Sequence, residues 1–118
     1  MTSYPHHIFI IDDDPSFGKS LARLLSARGY FPEYFSSAQS FLDSIPSDQR
    51  GVVVLDIHMP GFGGFALLDK MNELHYELPV IFVTGQAQTD DRNLALEKGA
   101  KGFLLKPFSE ESLLELLN

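Results

Sequence analysis

VVVLDIHMPGFGG, residues 52–64, joins two unlike halves. Val52–Leu55 is an unbroken apolar run, which is what a strand buried on both faces requires. Asp56 comes directly after it, and the loop after Met59-Pro60 is rich in glycine. A doubly buried strand implies a parallel sheet with helices on both sides. In such a sheet the functional groups gather beyond the carboxyl ends of the strands, where Asp56 stands.

The same two-part pattern recurs on either side. β-rich runs lie at His7–Ile11, Phe31–Phe35, Val80–Val83 and Phe103–Leu105, and stretches of helical spacing separate them. A first helix starts near Pro15 with Asp14 as its cap, shows Leu21, Leu24 and Leu25 on one face, and stops at Gly29. A second covers Ala38–Ile45, capped by Ser36 or Ser37 and ended by Pro46. A third spans Gly64–Leu74 and a fourth Asp90–Lys98, ending at Gly99. The last begins at Ser109, has Glu110 and Glu111 in its first turn where carboxylates suit the helix dipole, and runs to the chain end. Five strand–helix alternations, joined by right-handed crossovers, predict an α/β fold with a doubly wound sheet of order 2-1-3-4-5.

A chain of 118 residues fits one domain, and ten Phe and four Tyr join the aliphatic residues to fill its core. No Cys is present, so disulfides and thiolate metal sites are excluded. The net charge of −7 lacks the basic footprint of nucleic-acid binding, so direct contact with DNA is not expected. No apolar run approaches the roughly 18–20 residues that span a bilayer, and Met1 to His7 does not read as a signal peptide. The expectation is a cytoplasmic domain with no membrane partner. An apolar last helix that stops at Asn118 suggests a domain cut from a longer protein.

The residues just past the apolar runs form a compact set: Asp12, Asp13 and Asp14 after the first, Asp56 after the third, Thr84 after the fourth and Lys106 after the fifth. In the order 2-1-3-4-5 these ends are neighbours and share one rim. Carboxylates crowded together repel one another unless a cation intervenes. Mg²⁺, or Mn²⁺ in its place, suits oxygen ligands, and the histidines form no metal-binding array: His6 and His7 are adjacent, His58 and His75 isolated. A carboxylate can attack phosphorus to give an aspartyl phosphate, and a cation, a Lys ammonium and a Thr hydroxyl would neutralise and position the phosphoryl oxygens. Taken singly, Asp14 reads as a helix cap, Lys106 as a solvated cation and Thr84 as a turn residue. Four such groups at four strand ends argue for a site.

The segments IFIIDDD (8–14), VVVLDIHMPGFGG (52–64), VIFVTG (80–85) and GAKGFLLKPF (99–108) resemble the receiver domain of bacterial two-component response regulators, in order and over the whole chain. That resemblance implies a flavodoxin-like (βα)5 fold and transfer of a phosphoryl group from a sensor histidine kinase to Asp56. It makes Asp13 a direct Mg²⁺ ligand, with Asp12 in the same pocket acting through a metal-bound water and the backbone carbonyl of His58 completing the set. Thr84 would hydrogen-bond the phosphoryl group, Lys106 would pair with it, and the Lys106–Pro107 bond would be cis. Phe103 falls at the switch aromatic, although a strand aromatic also needs no reason beyond packing. Gly63 stands where many relatives carry Asp or Asn, so the GFGG loop is expected to be mobile. The ring of His58 could shield the phosphoryl group, assist its hydrolysis or stand by in solvent, and the uncharged Gln86 lies on the same rim.

The expected protein is therefore a phosphoacceptor switch, not a metabolic enzyme. It forms residues 1–118 of a longer chain whose output module acts on a downstream target, and it can dimerise through the face of helices four and five on phosphorylation. A haloacid-dehalogenase-type phosphatase is the alternative with the same nucleophile. It wants a DxDx[TV] motif after strand one, whereas Asp12-Asp13-Asp14 is followed by Pro15. A receiver used only for protein interaction would have lost acceptor or metal residues, and all are present.

Overall fold

A computed structural model describes residues 7–86 and 90–117. His6 and Asn118 lie outside the described residues. The elements come in strict alternation: β1 (His7–Ile11), α1 (Pro15–Ala27), β2 (Phe31–Phe35), α2 (Ala38–Ser44), β3 (Val52–Asp56), α3 (Gly64–Glu73), β4 (Val80–Thr84), α4 (Asp91–Glu97), β5 (Gly102–Leu105) and α5 (Glu110–Leu117). The strands form one parallel sheet in the order β2-β1-β3-β4-β5, as the alternation predicts.

Alternate residues of the central strands face opposite layers. Phe9, Ile11, Val53, Leu55, Val80 and Phe82 pack with Phe41 of α2 and Leu67, Leu68 and Met71 of α3. Ile8, Ile10, Val54, Ile81 and Val83 pack with Leu21 and Leu25 of α1 and Leu113 of α5. Every residue of β4 is buried, which explains why its sequence shows no polar alternation.

Helix starts are set by local chemistry. Asp14 Oδ1 accepts from the amides of Ser16 (3.0 Å) and Phe17 (3.4 Å), Ser37 Oγ from Ser40 (3.1 Å) and Ser109 Oγ from Ser112 (3.1 Å). Ser37, not Ser36, is thus the cap of α2. β3 and β4 each extend one residue past their apolar runs, so that Asp56 pairs in register with Val83 and Thr84 with Leu105. Both polar residues are held by the sheet ladder itself.

Candidate functional site

The three successive acids after β1 have three different fates. Asp12 is 1% exposed: its amide donates to the Phe35 carbonyl at 3.1 Å, and its Oδ1 accepts from the Asp14 amide at 2.9 Å. Asp13 is exposed on the rim, and Asp14 turns away to cap α1. Asp56, 6% exposed, ends β3, and its Oδ1 lies 3.3 Å from the His58 amide. One carboxylate oxygen from each of Asp12, Asp13 and Asp56 lies within 4.8 Å of the others. The predicted acidic cluster therefore exists, drawn from two adjacent strands.

Lys106 approaches from the far side. Its amide donates to the Thr84 carbonyl at 2.8 Å, which carries β5 past β4 to the same edge. The Lys106–Pro107 bond is cis. The ammonium lies 2.7 Å from Asp12 Oδ2, 3.9 Å from Asp56 Oδ2 and 4.1 Å from the centre of the Phe17 ring. The buried Thr84 hydroxyl accepts from the Gln86 amide at 3.2 Å.

One ammonium facing three carboxylates leaves the pocket short of positive charge. Burial, with the charge of Asp12 next, pushes the Asp56 carboxyl up from 3.8 to about 6, although Lys106 and the His58 amide pull it back. The donors are all carboxylate oxygens, two of the three acids are buried, and the pocket has negative charge to spare. These residues fit a hard divalent cation.

The remaining predicted residues flank this centre. Phe103 is half-buried in β5, opposite Phe82, with the Arg92 guanidinium 5.9 Å above its ring. The His58 ring is not simply solvated: its Nε2 lies 2.8 Å from Asp91 Oδ2 at the start of α4. Gln86 is exposed. In the GFGG loop, Gly61 has φ +73°, whereas Gly64 is demanded by space. A Cβ at Gly64 would fall 2.4 Å from the Asp56 carbonyl oxygen and 2.9 Å from Ile57 Cα, both main-chain atoms.

Residues 8–118 match the response regulator receiver domain. The chain belongs to that family. It is 37% identical over 111 residues to the transcriptional regulatory protein FixJ of Bradyrhizobium diazoefficiens, an alignment that covers 94% of this chain and 54% of FixJ. The crystal structure of FixJ-N superposes with a TM-score of 0.87 at 33% identity, over 98% of this chain and 91% of that one. A response regulator of Burkholderia pseudomallei, solved with a phosphorylated aspartic acid and a calcium ion, gives a TM-score of 0.80 at 25% identity, over 95% and 66%. The chain spans about half the length of FixJ.

Several residues around the acidic cluster escaped the sequence reading. Phe17, Gly64, Asp91 and Tyr34 touch functional groups yet are not among the polar residues that follow the apolar runs. The Tyr34 hydroxyl donates to the Asp12 carbonyl at 2.7 Å, and burial, then Asp12, Asp13 and Asp14, raise its pKa and keep it protonated. The glycine doublet 63–64 was the one local signal available. The others emerge only once the register is known.

Proposed function

We propose that Asp56 is the phosphoacceptor of this receiver domain. A carboxylate oxygen of Asp56 attacks the phosphorus of a donor, the phosphohistidine of a sensor histidine kinase or a small acyl phosphate. The P–N or P–O bond breaks and the leaving atom keeps its electron pair, departing as neutral imidazole from phosphohistidine or as a carboxylate from an acyl phosphate. The observation that carries this reading is the meeting of Asp12, Asp13 and Asp56 within 4.8 Å, with Lys106 against them. Asp13 and Asp56 would hold Mg²⁺ or Mn²⁺ directly, Asp12 through water, and the His58 backbone carbonyl would complete the protein ligands. A cation there supplies charge neutralisation for the incoming phosphoryl oxygens. Lys106, already between Asp12 and Asp56, pairs with one of those oxygens, and the Thr84 hydroxyl donates to another. The phosphorylated aspartate and calcium ion of the Burkholderia pseudomallei relative support the assignment.

The domain acts as a switch whose own groups position its phosphorylation and dephosphorylation. Movement of Thr84 toward a phosphoryl group frees space beside Phe103, and the ring's exchange between two positions alters the face of α4, β5 and α5. That face carries Leu96 and Leu105, exposed by 49% and 54%, which suits a homodimer or an output module. The chain is read as the cytoplasmic receiver part of a longer regulator. Among the described residues, no helix is long and apolar enough to cross a membrane.

The test is intact-mass measurement after incubation with acetyl phosphate and Mg²⁺. One added phosphoryl group is expected, lost with EDTA and in Asp56→Asn. Unchanged mass in the wild type, or full modification of Asp56→Asn, refutes the assignment.

A further inference from the structure

β2 is an edge strand and supplies none of the residues that line the acidic cluster, yet it holds both main-chain polar groups of Asp12. The Asp12 amide donates to the Phe35 carbonyl at 3.1 Å, and the Asp12 carbonyl accepts from the Tyr34 hydroxyl at 2.7 Å. The first bond merely continues the ladder of β1 and β2, whose register pairs Ile11 with Phe35. The second is a side-chain brace, and it needs room. Tyr34 pairs in register with Ile10, two residues before Asp12, so its ring must lie across the start of α1 to reach that carbonyl.

Gly18 provides the room. It is buried inside α1, where glycine is a poor helix former, and it has no unusual φ that would call for one. A Cβ at position 18 would fall 2.2 Å from Tyr34 Cε1, 2.4 Å from Cδ1 and 2.9 Å from Cζ. Any other residue there would drive the ring out of its place. The glycine and the tyrosine form a matched pair: one gives up helix propensity, and the other uses the gap to reach the main chain of a buried acid.

We propose that Tyr34 is a positioning residue for the cation site, bracing the β1–α1 turn through the Asp12 carbonyl so that Asp12 and Asp13 face Asp56, with Gly18 as the notch that admits its ring. This rests on the reading of Asp12, Asp13 and Asp56 as the Mg²⁺ site. Asp12 is fixed at its amide, at its carbonyl, at its Oδ1 by the Asp14 amide and at its Oδ2 by the Lys106 ammonium. Of these four restraints, the Tyr34 bond is the one that a side-chain substitution removes without changing a charged group of the pocket. Tyr34→Phe deletes the hydroxyl and leaves the ring packed on α1.

The test is calorimetric titration of the unphosphorylated chain with Mg²⁺, paired with amide hydrogen exchange and urea unfolding in EDTA. Tyr34→Phe is expected to raise the Mg²⁺ dissociation constant about threefold to tenfold, the effect of losing one hydrogen bond. It is also expected to speed metal-free exchange at the Asp14 amide. Gly18→Ala is expected to weaken Mg²⁺ binding similarly and to lower metal-free stability, because the new methyl group displaces the Tyr34 ring, and the double variant should bind Mg²⁺ no worse than either single one. A purely structural role would lower stability while leaving Mg²⁺ affinity and exchange at the Asp14 amide as in the wild type. If the wild type binds Mg²⁺ and Tyr34→Phe binds it equally well with unchanged Asp14 exchange, the role of Tyr34 is overturned. If the wild type binds no Mg²⁺, it is the reading of the site that fails.

Discussion

Asp56→Asn keeps the shape of the acceptor side chain and removes its charge, so its effect on stability measures what that charge costs. In the folded, metal-free protein the Asp56 carboxyl is raised from 3.8 to about 6, first by burial and then by Asp12. At about 1.36 kcal/mol per pKa unit, ionising it at neutral pH costs the folded state about 3 kcal/mol relative to the unfolded chain. A carboxyl whose pKa is higher when folded holds more protons in the folded state between those two values, so stability falls as pH rises from about 4 to about 6. Asn cannot ionise, and its side-chain oxygen can still accept from the His58 amide, 3.3 Å from Asp56 Oδ1. The variant should therefore be more stable than wild type by about 2–3 kcal/mol at pH 7 in EDTA, and by under about 1 kcal/mol at pH 4. With a urea m-value of about 2 kcal/mol per molar, the midpoint should rise by about 1–1.5 M at pH 7. The assay is urea unfolding followed by circular dichroism at both pH values; the other carboxylates cancel in the comparison. Millimolar Mg²⁺ should then stabilise wild type and leave Asp56→Asn nearly unmoved. A variant as stable as wild type at pH 7, or a stability gain that does not shrink at pH 4, would refute the account of a strained, charge-deficient pocket.

Lys106→Ala removes the ammonium 2.7 Å from the buried Asp12, and should destabilise the metal-free protein by about 2–3 kcal/mol at pH 7 in urea unfolding. The same variant should move the Asp56 titration above its present value of about 6, read by carboxyl carbon NMR, because Lys106 lowers it. Gly64→Ala drives a methyl group into the main chain of Asp56 and Ile57 and should cost about 1–3 kcal/mol, with weaker Mg²⁺ binding by calorimetry. Tyr76→Phe, which leaves the Ile45 carbonyl without its hydroxyl donor, should cost about 1–2 kcal/mol and leave the Mg²⁺ affinity unchanged. Beryllofluoride with Mg²⁺ should change amide exchange in α4 more than in α1 or α3, as mapped by mass spectrometry; equal change in all three would contradict a weaker hold on α4 than on the other two.

The order of strands was legible because the two periods never blur: the central strands are apolar on both faces, and α1, α2 and α5 carry their own start signals. Asp14 could be placed from its neighbours alone, since its capping bonds reach only two and three residues ahead. Asp12 and Asp13 could not be told apart in this way. Which one is buried depends on how β1 ends against Phe35, a contact across the sheet. The tie between His58 and Asp91 spans 33 positions and joins a loop to a helix, and the pairing of Tyr34 with Gly18 needs the register of β2 on β1. Periodicity reports which face a residue takes, whereas these contacts depend on which residues meet across faces. GFGG read as a mobile loop because glycine frees the backbone, but at position 64 the reason is crowding against Asp56.

The magnitudes also say where the domain should yield. Neutralising the acidic pocket makes about 3 kcal/mol available, enough to shift a two-state equilibrium by a factor of about 150. α1 and α3 bury Leu21, Leu25, Leu67, Leu68 and Met71, and moving either would expose several side chains at about 1.5–3 kcal/mol each. α4 buries only Asp91 and Ala95 and is held chiefly by polar contacts: Asp91 to His58 at 2.8 Å, Lys98 to Asp69 at 2.9 Å, and Arg92 over Phe103. Such partly exposed contacts contribute about 0.2–1 kcal/mol apiece. The cost of the Asp56 charge is comparable to what these polar contacts of α4 contribute together and falls short of what retains α1 or α3. His58 belongs to the loop that begins at Asp56, so its 2.8 Å contact with Asp91 ties the acceptor loop directly to the start of α4.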